Sequence, residues 1–511
     1  MLIKLNEVGT MATKTNATIG FEQELWNAAN ILRNKINAAD YRKVITGLIF
    51  LKYVSDTFES RFQFLVDEGE GFEEDRDEYE AENVFFIPKE ARWSYIQTFA
   101  QLEEIGVKID EAMRDIEKEN KKLKNVLPKI FASQDIDKRA LGEVVNLFTN
   151  INMHTHGDEK DILGRTYEYF IAKFAENEGK KGGEFYTPTS IVKTIVEILK
   201  PFNGRVYDPA CGSGGMFVQS TKFIQNHSGN INDLSVYGQE SNPDTWKMAK
   251  MNMAIRGIEA NFGESHADTF LNDLHPTLKA DFIMANPPFN VSEWGHEKLQ
   301  NDVRWKYGMP PKGNANYAWI QHMIHHLAPD GKIGLVLANG SLSTQTSGEG
   351  AIRKEIIDAD LIEGIIALPA NLFYSVTIPS CLWFITRNKK QKGKTVFIDA
   401  RNMGHMTSRT HRVFTNEDIK KLAETFEVFQ NGNLEDVKGF CKVATTEEIV
   451  KQDYILTPGR YVGVEETKID DEPFEEKMTR LTEELSDLFK KGHELEAEIK
   501  MRIGELGFEI K

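Results

Sequence analysis

From about residue 160 the sequence changes texture, and this change limits the possible folds more than any other feature. Short runs rich in Val and Ile, at 205–208, 235–239, 281–285, 332–338, 361–368 and 381–386, alternate with stretches of helical periodicity. A further strand is expected near 260–263. Strands separated by helices pair in parallel, because each return to the same edge needs a crossover of a dozen or more residues. Right-handed crossovers then put helices on both faces. The expected fold class is α/β, an open doubly wound sheet over residues 160–464, with ligands outside the carboxyl ends of its strands.

The flanks read differently. Residues 1–17 are expected to be a flexible N-terminus and 18–159 a helical domain. Phe21, Leu25, Trp26 and Leu32 begin one apolar stripe. Val44, Leu48, Leu51, Val54, Phe58, Phe62 and Leu65 continue another at three- and four-residue steps. Helical pattern resumes over 92–148, with Pro88 and Pro128 as breaks. Between them, 67–82 holds ten acids and one Arg and is expected to be a solvated loop. In 465–511, Phe474, Met478, Leu481, Leu485, Leu488, Leu495, Ile499 and Leu506 recur in heptads broken only by Gly492 and Arg502. That pattern predicts a coiled-coil-like helix whose seam packs on its own domain or receives another chain.

The charge follows the same division. Of the net −16, residues 67–82 carry −9 and residues 465–511 carry −7, so the remainder is neutral. Affinity for nucleic acid comes from Lys and Arg neutralising phosphates. A chain of this balance acts on DNA or RNA only with locally patterned charge or a partner that supplies the grip. No apolar run of about 18 residues predicts a membrane span, and the first residues lack a signal-peptide pattern. Cys211, Cys381 and Cys441 lie far apart, which fits a reducing, cytoplasmic setting and no metal site.

Four motifs fall at predicted strand ends. In VYDPACGSGGM, Asp208 ends a strand, and Gly212, Ser213, Gly214 and Gly215 make a turn into a helix. Such glycines let backbone N–H groups approach a ligand at a helix N-terminus. The spacing is not that of a dinucleotide or triphosphate loop, and a strand-end Asp suits a ligand bearing an ammonium group. Glu240 ends the next strand, 32 residues on, where a carboxylate accepts ribose hydroxyls; alone it reads equally as an exposed strand-end acid. Asp268 follows the third strand, as an acceptor for an adenine amino group or as an ordinary loop acid.

The most specific motif is ANPPFN. Pro287 and Pro288 remove two backbone donors and hold the chain extended, leaving carbonyl oxygens without local competition. Asn286 adds an amide oxygen and Phe289 an aromatic face. Acceptors beside a stacking platform suit a planar substrate with an exocyclic amino group. The structural alternative is a rigid loop with a buried Phe, and the Gly-rich turn earlier in the chain argues against it. Ahead of the first strand lies GGEFYTPTSIV. Pro188 is expected to open a helix capped by Thr187 or Thr189, with Glu184, Phe185 and Tyr186 before it. This segment is either a simple cap with aromatic core residues or a lid over a small-molecule pocket.

The ordered set GGEFYTP, DPACGSGG, GQE, ADTF and ANPPF resembles the S-adenosylmethionine-dependent N6-adenine DNA methyltransferases in gamma-class order. The chain is most similar to the methyltransferase (M) subunit of type I restriction–modification systems. FEQELWNAANILR near the N-terminus, DILGRTYEYFIAKFA at 161–175, NGSL at 339–342, IRKEII at 352–357 and ALPANLFYSVTIPSCLWF at 367–384 support this. The resemblance implies a Rossmann-like methyltransferase sheet and S-adenosylmethionine as cofactor. It implies that Glu184, Phe185, Tyr186, Thr187, Pro188 and Thr189 close over that cofactor. Asp208 and Gly212–Gly215 would hold its methionine end, Glu240 its ribose and Asp268 its adenine. Asn286, Pro287, Pro288 and Phe289 would handle an adenine flipped out of double-stranded DNA. Only 87 residues separate the last predicted strand, 381–386, from Phe474, where the heptads begin, too few for a target-recognition domain. The resemblance therefore implies sequence reading by a separate specificity (S) subunit in an M2S1 complex, joined in the full complex by a restriction (R) subunit. Residues 465–511 are expected to dock onto the S subunit. The competing enzymatic reading is an NPP[FY] amino-methyltransferase acting on rRNA guanine or protein glutamine.

Overall fold

The computed structural model describes residues 20–33, 35–36, 38–150, 169–170, 173, 187–227, 229–373, 379–409, 411–464 and 474–505. It divides into two compact units, Met1–Val462 and Gly463–Lys511.

The helical part of the first unit comprises α1 (Gly20–Arg33), α2 (Ala38–Glu68), α3 (Asp77–Glu80), α4 (Trp93–Gln97), α5 (Ile105–Glu119) and α6 (Lys138–Thr149). The expected stripe of α2 is buried through Val44, Leu48, Leu51, Val54, Phe58 and Leu65. Asp137 caps α6 by accepting a hydrogen bond from the Ala140 N–H at 3.0 Å. The acidic segment is largely the exposed loop expected of it, but it is pinned at α3. Tyr79 on α3 is fully buried and stacks on Phe58, with ring centroids 4.5 Å apart. Glu78 pairs with Arg61 at 3.1 Å and Glu74 with Arg92 at 3.0 Å. One aromatic anchor and two arginines from neighbouring segments order a stretch whose average composition reads as solvent-exposed.

The central sheet is built from β1 (Gly204–Asp208), β2 (Leu234–Gly238), β3 (Ala260–Asn261), β4 (Ala280–Ala285), β5 (Leu327–Ala338), β6 (Ile362–Ala367), β7 (Ser380–Thr386), β8 (Lys394–Asp399) and β11 (Cys441–Thr445). Its order is β11-β8-β6-β7-β5-β4-β1-β2-β3. A two-stranded ribbon, β9 (His405–Met406) with β10 (Arg412–Val413), stands apart. The sheet is mostly parallel, with two departures from the expected pattern. β7 runs antiparallel between β5 and β6, and β11 runs antiparallel on β8. Residues after 386, where no strand was expected, extend the sheet by β8 and β11.

Helices α7 (Thr189–Leu199), α8 (Gly215–Asn226), α9 (Pro243–Ile255), α10 (Asn316–His326), α11 (Glu349–Asp358), α12 (Asn416–Gln430) and α13 (Thr446–Lys451) accompany the strands. The two faces of the sheet feed two cores, as the period-2 alternation of a strand requires. In β7, Leu382 and Phe384 enter the core shared with α7, α8 and α12, while Cys381, Trp383 and Ile385 enter that of α10 and α11. The core of the helical part also takes in Met248, Met251 and Ile255 of α9. Lys43 to Asp244 (2.9 Å) and Lys122 to Glu259 (3.0 Å) add ion pairs between the same parts.

The second unit contains α14 (Phe474–Glu505). Its seam is exposed: Met478 43%, Leu481 41%, Leu485 50%, Leu488 59%, Leu495 59% and Ile499 52%. Leu506 lies outside the described residues.

Candidate active site

β1 and β4 are neighbours, and the chain proceeds from β1 to β2 and β3 on one side and from β4 to β5 on the other. At such a reversal the strand-end loops diverge and leave a crevice. Thr187, Asp208, Gly212, Ser213, Gly215, Glu240, Asp268, Asn286 and Pro288 all line one cleft there. Pro188, Thr189, Gly214, Pro287 and Phe289 belong to the same loops and helix ends without lining it. Glu184, Phe185 and Tyr186 lie outside the described residues.

One end of the cleft is the turn after β1. Gly212 and Gly214 have φ of 53° and 82°, the left-handed region that side chains disfavour. Gly215, the first residue of α8, lines the cleft, and a Cβ added there meets nothing within 4 Å. The missing side chain leaves room for a ligand over the helix N-terminus. Asp208 is 2% exposed and accepts a hydrogen bond from the Ala210 N–H at 2.9 Å. Burial, with Glu240 adding repulsion, pushes its carboxyl up to about 8. The Glu240 carboxylate accepts from the N–H groups of Gly212 (3.1 Å) and Asn242 (2.8 Å), and burial raises its pKa as well. Two buried carboxyls with no cation paired to them among the described residues are costly, and a cationic ligand relieves that cost. Asp268 is exposed at the border, its Oδ1 accepting from the N–H groups of Phe270 and Leu271, both at 2.9 Å.

The other end is the loop after β4. The Asn286 Nδ2 donates to Thr187 Oγ1 at 3.0 Å. Its Oδ1 is buried and has no hydrogen-bond partner among the described residues. Thr187 therefore does not cap α7; neither does Thr189, because Pro188 holds the N-cap position and no side-chain cap forms. Thr187 instead fixes the Asn286 amide by its nitrogen, which leaves the oxygen without a partner. The loop is clamped at its far side, where Asn316 accepts from the Asn290 N–H at 3.0 Å and donates to Asn290 Oδ1 at 2.9 Å. Phe289 is half-buried and stands edge-on to Phe373, with centroids 6.1 Å apart.

Sequence reasoning missed an aromatic wall. Phe270, Trp294 and Trp319 line the cleft, with Phe270 to Trp319 at 4.2 Å and Phe270 to Trp294 at 5.4 Å. Phe270 closes the quoted ADTF motif, so a signal existed for it. Trp319 comes from α10, and no local pattern marks it.

A buried polar network braces that wall. Asp273, His322 and His326 bring donor atoms within 4.8 Å of one another, a cluster the sequence reading did not single out. His326 meets Asp273 at 2.9 Å and the Leu278 carbonyl at 3.0 Å; His322 lies between Tyr207 Oη and Arg304 Nη1, each at 3.1 Å. Every ring nitrogen is engaged and a guanidinium sits alongside, which disfavours a metal ion. Burial holds His322 well below the usual imidazole range. Arg304 in turn donates to the carbonyls of Thr269 (3.1 Å) and Phe270 (2.6 Å), fixing the cleft wall.

Known proteins resemble this chain over most of its length. Residues 158–470 match the N-6 DNA Methylase family model, and 21–148 match the HsdM N-terminal domain. The Type I restriction enzyme HindI methylase subunit of Haemophilus influenzae is 52% identical over 444 residues, covering 83% of this chain and all of that protein. The MjaIX methylase subunit of Methanocaldococcus jannaschii is 42% identical, covering 96% of this chain and 92% of that protein. The crystal structure of the type I restriction-modification methyltransferase subunit from Streptococcus thermophilus superposes with a TM-score of 0.74 at 25% identity, covering 87% of this chain and 99% of that one. With two family models and near-complete relatives in agreement, the chain belongs to the N-6 DNA methylases, among the methyltransferase subunits of type I restriction-modification systems.

Proposed function

We infer that this chain is the methyltransferase subunit of a type I restriction–modification complex and transfers a methyl group to N6 of adenine in DNA. The observation that carries the reading is the buried, unpartnered Oδ1 of Asn286, in a cleft whose other end holds the carboxyls of Asp208 and Glu240. S-adenosylmethionine, when bound, supplies an electrophilic methyl group on a sulfonium. Asp208 and the turn Gly212–Gly215 would hold its methionine end, Glu240 its ribose hydroxyls and Asp268 its adenine. Thr187, with Pro188, Thr189 and Glu184–Tyr186, would cover it.

At the rim, the lone pair of an adenine amino group is delocalised into the ring, which makes the amine a poor nucleophile. The Asn286 oxygen and the Pro287 carbonyl accept its two N–H bonds and favour a pyramidal nitrogen. Positioning in a water-poor cleft then supplies most of the acceleration. The base is out of reach inside a duplex, so it is flipped out, and Phe289 replaces part of the lost stacking.

The division of labour along the chain is 18–159 as a helical docking and packing region, 160–464 as the catalytic region and 465–511 as the subunit-docking helix. The exposed seam of α14 suits a partner helix: its six side chains are already about half covered, and burying the rest contributes about 1 kcal/mol each towards a contact. Its partner would be a specificity subunit shared by two copies of this chain, with a restriction subunit joining the full complex. No described helix is long and apolar enough to cross a membrane, and the reaction is expected in the cytoplasm. The family match favours DNA over rRNA or protein as substrate. The test offers labelled cofactor to the assembled complex with DNA, rRNA or protein. Label is expected in DNA as N6-methyladenine, and label confined to RNA or protein refutes the reading.

A further inference from the structure

The edge of the sheet that carries Asp208, Glu240 and Asn286 also carries a basic hairpin. β8 runs parallel to β6 and ends at Asp399, so the segment that follows emerges at the same carboxyl edge. Residues 400–416 contain no Asp or Glu, but they hold Arg401, Arg409, Arg412, His405 and His411. In a chain of net charge −16 this is a sharp local reversal.

The segment is built and anchored. Met406 pairs with Arg412 and His405 with Val413 across β9 and β10, and the Thr407 N–H donates to the His411 carbonyl at 2.9 Å near the turn. The Arg412 N–H donates to the Asn371 carbonyl at 2.8 Å. Two residues further on, Phe373 stands against Phe289 of the rim. Phe414 is buried in the same core as Phe373. The hairpin is thus tied to the segment after β6 whose Phe373 backs the rim aromatic.

The three arginines are differently placed. Arg401 is held by both oxygens of Asp399, and Arg412 donates to the Met403 carbonyl at 2.9 Å. Arg409, at the turn, is exposed and has no ion-pair partner among the described residues. His405 and Met406 are exposed beside it. At about 3.4 Å per residue, Arg409 lies within about 10 Å of Arg412 along the chain.

We propose that the β9–β10 hairpin grips the DNA backbone beside the flipped adenine, with Arg409 neutralising a phosphate. The inference rests on the reading of the cleft as a DNA adenine site and adds the element that offsets the acidic balance of the chain. Its test uses the complex of the full chain with its specificity subunit. Wild type, Arg409→Glu and Arg409→Lys are titrated onto a fluorescent duplex of arbitrary sequence over a series of salt concentrations. Arg409→Glu is expected to bind roughly tenfold more weakly and to lose about one from the log–log salt slope. Arg409→Lys keeps the wild-type slope, and all three bind cofactor equally. Equal affinity and slope for Arg409→Glu overturn the proposal. Loss of the specificity subunit from Arg409→Glu with an unchanged slope also overturns it, because it marks a protein contact. Transfer of label to DNA by the wild-type complex separates the two claims: without it the functional reading fails, and with it only the hairpin is at stake.

Discussion

Asp208→Asn is expected to make the protein more stable while removing cofactor binding. Asp208 is 2% exposed at the end of β1, and burial raises its carboxyl to about 8. In the unfolded chain it ionises near 3.8. Below about pH 3.8 the group carries its proton in both states and costs nothing. Above it the unfolded chain ionises first, and stability falls by about 1.36 kcal/mol per pH unit until the native carboxyl ionises near pH 8. At pH 7.5 the accumulated cost approaches about 5 kcal/mol, and water entering the cleft trims it towards about 2 kcal/mol.

Asparagine mimics the protonated acid: it keeps the acceptor for the Ala210 N–H and carries no charge. With unfolding entropy near 2.1 cal/mol/K per residue, the melting temperature at pH 7.5 should rise by about 2–5 °C. Differential scanning fluorimetry from pH 4 to 8.5 reads the gain directly. It should vanish near pH 4, grow to pH 8 and then level off. In the wild type, an ammonium-bearing ligand must draw the proton from Asp208, so cofactor affinity should rise about tenfold per pH unit below pH 8, with proton release in calorimetry. A pH-independent change in melting temperature, or a flat affinity between pH 6 and 8, refutes the reasoning.

Other substitutions separate the two ends of the cleft. Asn286→Ala should lower turnover by about 10²–10³-fold while cofactor affinity persists in equilibrium binding; unimpaired turnover would contradict the acceptor role. Thr187→Val keeps the shape but leaves the Asn286 Nδ2 without its 3.0 Å acceptor, which should cost about 1–3 kcal/mol, read as a fall in kcat with little change in cofactor affinity. Leu485→Asp with Leu488→Asp places charges on the exposed seam of α14. Co-purification with the specificity subunit should be lost while the melting temperature of the isolated chain stays put, and intact assembly would refute the docking claim.

Much of this was legible in the sequence because the motifs sit where strands end. The runs that became β1, β2 and β4 identified Asp208, Glu240 and Asn286 as strand-end groups, and the structure gathers all three. What escaped has physical reasons. The run 381–386 is continuously apolar whether its strand runs parallel or antiparallel, so the direction of β7 was invisible. Tyr79 was lost among ten acids because composition averages over a segment while packing depends on one ring. Trp319 lines the cleft from a helix that begins 30 residues after Asn286, and no spacing rule ties the two. The Thr187 to Asn286 hydrogen bond spans 99 residues, and a cap for α7 was the local explanation nearest to hand.

That one bond explains why the cleft needs both of its distant sequence motifs. A carboxamide with two free ends presents its oxygen and its nitrogen about equally well, and the rim requires the oxygen. Thr187 takes the nitrogen and leaves the oxygen bare. Because Thr187 directly precedes Pro188 and α7, the segment expected to close over the cofactor also sets the orientation of the group expected to receive the base. The Asn290–Asn316 clamp fixes the other side of the same loop, and Arg304 fixes the carbonyls behind the aromatic wall. Each contact holds a strand-end loop against a helix or a buried network, so the geometry is set before any ligand arrives. Preorganisation of this kind means that weakening Thr187 should slow the chemistry more than it loosens the cofactor, which is the split that Thr187→Val is designed to read.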